Sequence, residues 1–122
     1  MKLFRRNKFR KAIRGIIEGI RIENSFKVHF AGAILAIILG FVLGINEIEW
    51  CLVLLVIGLV LLSEMFNTVI ELLVRLYTAE YSDLAGKLLD MSAGAVLISS
   101  IVAAVIGGII FGCRLIELYR CL

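Results

Sequence analysis

Three stretches of the chain carry no charge: Phe30 to Ile45, with Val28 and His29 just ahead of it, Trp50 to Leu62, and Met91 to Cys113. A bilayer core is ~30 Å thick and takes ~20 apolar residues in a helix to cross, so the first and third stretches fit directly. The second fits if Glu64 sits near its far end. The pattern predicts membrane helices over 28–45, 48–77 and 84–113. Ahead of them, Phe9, Ala12, Ile13, Ile16, Ile17 and Ile20 recur at helical spacing, with Lys8, Arg10, Lys11, Arg14, Glu18 and Arg21 between them. Residues 1–27 are therefore expected to form an amphipathic arm lying on the membrane surface. Glu23 breaks this pattern, because ~100° per residue sets it on the apolar side of the arm, between Ile16 and Ala12. A cap or ion pair where the arm meets the first span would account for it.

Composition strengthens the membrane reading. Of 122 residues 61% are hydrophobic and 19% charged, and there is no proline, which argues against a soluble domain and for one integral membrane domain over 1–122. The basic, amphipathic start is followed by a run long enough to span, so no cleavable signal peptide is expected. Cys51, Cys113 and Cys121 are too scattered for a C-x-x-C or zinc pattern and read as apolar filler. Charge then sets orientation. Residues 1–29 hold nine basic residues against Glu18 and Glu23, which places the N-terminus in the cytoplasm and, by alternation, "NEIE" (46–49) outside and 75–90 inside. Arg114 and Arg120 lie at the outer end against this trend. Trp50 and Tyr119 suit the outer interface, Tyr77 and Tyr81 the inner one. The basic face of the arm suits anionic headgroups, and no nucleic-acid partner is expected.

The third span repeats small residues every four positions, Ala95, Ser99, Ala103 and Gly107 on one line and Ser100, Ala104, Gly108 and Gly112 on the next. Such lines let helix backbones approach closely, which suggests a homo-oligomer unless packing within one chain consumes them.

The polar residues of "SEMFNTVIEL" (63–72) need a separate account. On a helical wheel Glu64, Asn67, Glu71 and Arg75 fall at about 0°, 300°, 340° and 20°, one stripe of one helix. A charged residue at mid-bilayer costs ~2.5–3.5 kcal/mol on insertion scales, so such a stripe faces a bundle interior or a water-filled cavity. At ~1.5 Å per residue Glu71 reaches the cytoplasmic interface while Glu64 stays ~10 Å deeper. Interhelical hydrogen bonding by Asn67 and an i, i+4 pair of Glu71 with Arg75 is the plain structural explanation. The chemical one gives the two acids different work. A wet carboxylate suits a hard cation such as Mg²⁺, and a partly desolvated one suits taking a proton from an alcohol. Together they suggest phosphoryl transfer at the membrane surface. The chain has no Walker glycine loop, so phosphates would be held through metal, Lys and Arg.

"ENSFKVH" (23–29), "EMFNTVIELLV" (64–74), "EYSDLAG" (80–86) and "DMSAGAVLI" (90–98) resemble, in order and spacing, the prokaryotic diacylglycerol kinase family, small trimeric membrane kinases that include undecaprenol kinases. The resemblance runs from Glu23 to Ile98, and its E-x-x-N-[ST]-x-I-E core is specific. It implies an all-α integral membrane protein, an N-terminal surface helix plus three transmembrane helices in a homotrimeric bundle. It also implies active sites shared between neighbouring chains and MgATP as donor to a lipid alcohol, in the cytoplasmic (inner) membrane of a bacterium. By position, Glu64 corresponds to the general base, Asn67 to its hydrogen-bonding neighbour, Glu23 and Glu71 to the Mg²⁺ ligands, and Asp90 to an acid supporting the site. A role for Glu23 in metal binding would remove its anomaly. Asp90 also suits the helix dipole in the first turns of its span.

Three positions depart from the family: Arg75 replaces an acid, Ser82 a His, and Leu89 the Lys expected to contact phosphate. Arg75 or Lys87 would have to supply that positive charge. His29 is the only histidine and reads first as an interfacial side chain. "FKVH" and "AGAVL" resemble the Gram-positive branch, which implies undecaprenol, or else diacylglycerol, as acceptor. Two further readings stay open, a non-catalytic trimer that binds lipid or a partner, and a proton or ion pathway. The second is weakened because the polar stripe stops halfway across the bilayer.

Overall fold

A computed structural model of the chain describes residues 2–77, 80 and 82–122, with the backbone alone for residues 2–6. Tyr81 lies outside them. Four helices follow one another, α1 (Lys2–Ile22), α2 (Asn24–Leu43), α3 (Glu47–Tyr77) and α4 (Asp83–Cys121), and no strand occurs among the described residues. Helices α2, α3 and α4 are each long and apolar enough to cross a membrane. At ~1.5 Å per residue the 31 residues of α3 and the 39 of α4 exceed a ~30 Å hydrocarbon core, so both carry regular backbone beyond it. Helix α4 in particular runs on past residue 113 to Cys121.

The helix ends follow from local sequence. Glu23 is extended (φ −109°, ψ 122°) and its amide donates back to the Gly19 carbonyl at 3.2 Å, so α1 stops at Ile22 and residues 24–27 open α2. The Glu23 side chain does not cap α2 and is left to make contacts elsewhere. On the opposite side Gly44 ends α2 in the left-handed region (φ 63°), where a side chain is strained, and Ile45 donates to the Gly40 carbonyl at 3.2 Å. Asn46 then opens α3 through a capping box: its Oδ1 accepts from the Glu49 amide at 2.9 Å, and its own amide donates to Glu49 Oε1 at 3.1 Å. Three residues thus turn the chain between two membrane helices. Ser82 caps α4, its hydroxyl accepting from the Ala85 amide at 3.1 Å.

Packing is closest between α3 and α4, and the line of small residues on α4 makes that approach possible. Ser99, on that line, meets Ser63 of α3, with the two hydroxyl oxygens 2.7 Å apart. Ala104 and Gly108 of the second line stay exposed, so one chain uses only part of the small-residue surface. Toward the α2–α3 turn Ile45, Val53 and Ile110 are buried together, flanked by Ala36, Trp50, Ile57, Ile106 and Phe111. Trp50 wedges against α2: its ring lies 4.8 Å from that of Phe41, and a Cβ at Gly40 would come within 2.6 Å of its Cη2.

The outward surface is apolar to a degree that water would not tolerate, with Leu52, Leu55, Leu59 and Leu62 of α3 and Ile98, Ile101, Val105 and Ile109 of α4 all exposed. A hydrocarbon surrounding removes the conflict. Phe9, Ile13, Ile16 and Ile17 of α1 are also exposed, the face expected to rest on lipid. Helix α1 is held to the bundle near its end, where buried Gly19 sits against Met65.

Candidate active site

The stripe on α3 turns inward. Glu64 is only 2% exposed, and Asn67 and Thr68 are buried beside it, while Glu71, a turn closer to the helix end, is half-buried. Burial of so many polar groups in an apolar bundle requires partners, and a connected set supplies them. Ser92 of α4 donates to Asn67 Oδ1 at 2.8 Å, and Asn67 Nδ2 donates to Glu71 Oε1 at 3.2 Å. One amide therefore joins α4 to the Glu71 carboxylate and has its orientation fixed at both ends. Thr68 donates to the Glu64 carbonyl at 3.1 Å, which keeps its hydroxyl satisfied within the helix.

Glu23 enters this set from the α1–α2 junction. Burial, a side-chain hydrogen bond with Glu71, and the charges of Glu71 and Glu64 raise its pKa above the ordinary 4.5, partly offset by nearby Arg75. Three carboxyl groups from two segments thus share one neighbourhood. Neighbouring carboxylates repel one another and suit a divalent cation between them. No group of three or more His, Cys, Asp or Glu among the described residues is arranged to hold an ion. Glu23 and Glu71 would thus bind one as a pair whose remaining ligands come from outside the chain, as is usual where Mg²⁺ bridges protein and phosphate.

His29 approaches Glu64 from α2, with Nε2 3.3 Å from Oε2. His29, read from the sequence as an interfacial side chain, thus has its ring against the most buried acid of the chain. Glu64, Asn67, Glu71 and Glu23, foreseen as site residues, are brought together. Arg75 is exposed at the edge, within electrostatic reach of Glu23, and does not close the i, i+4 ion pair with Glu71. Asp90 and Lys87 are exposed on α4 and lie outside the hydrogen-bonded set. At ~100° per residue they fall about 160° and 140° round the helix from Ser92, so within one chain they face away. Sequence reasoning missed Ser92. The available signal was the seven-residue spacing of Ser92 and Ser99, which puts both hydroxyls on the face that meets α3.

Residues 10–111 match the family described as prokaryotic diacylglycerol kinase. The chain belongs to that family. It is 39% identical over 103 residues to an undecaprenol kinase of Bacillus subtilis, a match that covers 84% of each chain. A diacylglycerol kinase of Synechocystis is 31% identical over 101 residues, or 82% of this chain and 58% of the relative. One from Escherichia coli is 32% identical over 83 residues, 68% of each chain. The family and the apolar helices make this a bacterial membrane protein and a kinase that uses a phosphoryl donor.

Proposed function

We propose that the chain is an ATP-dependent lipid kinase that transfers the γ-phosphoryl group to a membrane lipid alcohol, undecaprenol in preference to diacylglycerol. The observation that carries this reading is the buried connection Ser92–Asn67–Glu71, with Glu23 beside it and Glu64 one turn deeper. A non-catalytic relative would have no use for so many costly buried polar groups, and the relatives are named as kinases.

In this reading Glu64 accepts the hydroxyl proton of the alcohol, and its apolar surroundings suit a carboxylate to that task. Asn67 fixes Glu71, and Glu71 with Glu23 holds Mg²⁺. The ion would supply charge neutralisation on the donor phosphates. Arg75, at the edge of the carboxylate pair, supplies positive charge in place of the Lys that Leu89 replaces; Lys87 is the second candidate. Asp90 and Lys87 face away from their own chain's site, which supports a homotrimer in which each site draws on α4 of a neighbour. The basic arm supports a cytoplasmic N-terminus in the inner membrane, with the site at the cytoplasmic interface where ATP is available.

The deciding experiment combines purified protein, labelled ATP and a panel of lipid alcohols. The wild type should phosphorylate a polyprenol. Glu64→Gln should lose on the order of 10²-fold or more in rate with nucleotide binding retained. Near-normal turnover in that variant would remove Glu64 as the base, and a wild type inactive on every acceptor would remove the kinase reading.

A further inference from the structure

Helices α2, α3 and α4 enclose a groove of about 370 Å³ that the seam of carboxylates does not use. Its walls are built from small residues, Gly32, Ala33 and Ala36 on α2 and Ala103, Ala104 and Gly107 on α4, with Val53, Val56 and Val60 of α3 as the floor. His29 is the only titratable side chain on the lining. Its ring is 26% exposed, whereas the Glu64 side chain it contacts is 3% exposed. Glu64 is therefore closed to water, and among the lining residues its contact with the groove is His29.

Resting on the kinase reading, we propose that this groove seats the hydrocarbon chain of a single-chain lipid alcohol, and that His29 is the positioning residue that brings the alcohol's hydroxyl to Glu64. Three observations fix the occupant as a lipid chain. The groove lies among membrane helices, its surface is apolar apart from His29 and the Ser100 hydroxyl, and its polar end coincides with the acid assigned to take a proton. A groove of about 370 Å³ walled by small side chains has room for part of one hydrocarbon chain. A glycerolipid would have to leave its second chain outside.

The imidazole Nε2 lies 3.3 Å from Glu64 Oε2, so an Nε2–H donor fixes which carboxylate oxygen is presented. In the transfer step the hydroxyl proton passes to Glu64. The alcohol oxygen forms a bond to the γ-phosphorus as the bond to the β,γ-bridging oxygen breaks, and ADP leaves with that electron pair. His29 holds the geometry and ends the step as it began.

Two variants fill the groove. Ala104 is exposed, and a Cβ built on Gly32 meets nothing within 4 Å, so Ala104→Phe and Gly32→Leu add volume without disturbing the buried core. In full-length protein in nanodiscs, each should raise the KM for a polyprenol on the order of 10-fold and leave the KM for ATP unchanged. His29→Ala should lower kcat on the order of 10²-fold, and His29→Gln, which keeps an N–H donor, should recover a large part of it. Native mass spectrometry with a polyprenol should find lipid retained by the wild type and lost from both groove variants, a readout that holds even if no acceptor is phosphorylated. Undiminished lipid retention in both variants overturns the groove. Loss of oligomer in place of lipid shows that a second copy occupies it. Equal kcat in His29→Ala and the wild type overturns the positioning role. Loss of activity toward every acceptor in the wild type, with lipid retention still sensitive to Gly32→Leu, would sink the kinase reading and leave the groove standing.

Discussion

Replacing Ser92 with Ala tests whether Asn67 acts through the contact that orients it. The hydroxyl lies 2.8 Å from Asn67 Oδ1 and 2.9 Å from the Leu89 carbonyl, so its one proton is shared between the two acceptors, in a pocket where Ser92 is 6% and Asn67 8% exposed. Leaving a buried acceptor unpaired costs ~1–3 kcal/mol in a water-soluble protein. Hydrogen bonds between membrane helices measure less, ~0.6 kcal/mol on average and ~1.7 at most, because the separated helices also find partners. The membrane figure applies here. Helix α4 should therefore stay docked, and the bundle should lose under ~2 kcal/mol in a denaturant titration. The larger effect should fall on function, since Asn67 loses one of the two contacts fixing its amide against Glu71. A misplaced carboxylate at a phosphoryl-transfer site costs on the order of 10²-fold in rate. The assay is steady-state kinetics with Mg²⁺ and ATP varied independently for Ser92→Ala and Ser92→Thr, the second of which keeps the hydroxyl. A fall in rate for Ala, largely restored in Thr, is expected. Equal rates in the wild type and Ser92→Ala, with the loss of stability present, would show that Asn67 holds its position without α4 and refute the argument.

Other positions give separable outcomes. Arg75→Ala should raise the KM for ATP, and adding Leu89→Lys should restore part of it, whereas higher activity in Arg75→Asp than in the wild type would show that Arg75 restrains the site. Glu23 titrates above the ordinary 4.5 because burial and Glu71 favour its protonated form. That stabilisation is present at low pH and lost as pH rises through the raised value, so without Mg²⁺ the melting temperature should fall over that window, and Mg²⁺ should reverse the fall. A melting temperature flat across that window, with and without the ion, would contradict the pairing of Glu23 with Glu71. Gly40→Leu should cost ~1–3 kcal/mol, because its side chain would have to displace the Trp50 ring; denaturant titration against Gly32→Leu, which meets open space, checks it.

The helices were legible because charge-free runs of the required length and small-residue spacing are one-dimensional signals. The stripe Glu64, Asn67, Glu71 was legible for the same reason, since its residues lie on one helix. What crosses between helices was not. His29 and Ser92 reach α3 from α2 and α4, and a lone histidine or a serine in an apolar run looks the same whether or not a partner faces it. Glu23 stood out from the apolar face of the arm, but residues 20–27 hold no proline or glycine, so the end of α1 at Ile22 was not marked. Asp90 and Lys87 remain apart from the cluster in a single chain, and no periodicity specifies which neighbour they face. Arg114, which by charge alone sits on the wrong side, is matched through space by Glu49, with Nε 3.1 Å from Oε1 and Nη2 contacting the same oxygen, and by Glu117 at 3.5 Å.

That outer clamp also sets a ruler. The guanidinium of Arg114 and the Asn46 capping box both grip Glu49, which in the proposed orientation pins the start of α3 at the outer boundary of the bilayer. Glu64 follows on the same unbroken helix 15 residues later, ~22 Å further in. In a ~30 Å hydrocarbon layer it stops ~8 Å short of the inner boundary. Its distance from the aqueous nucleotide is then set by the bilayer rather than by a loop. If Glu64 is the base and the site faces the cytoplasm, shorter acyl chains should bring the acid toward the donor and longer ones withdraw it, so that turnover would follow membrane thickness.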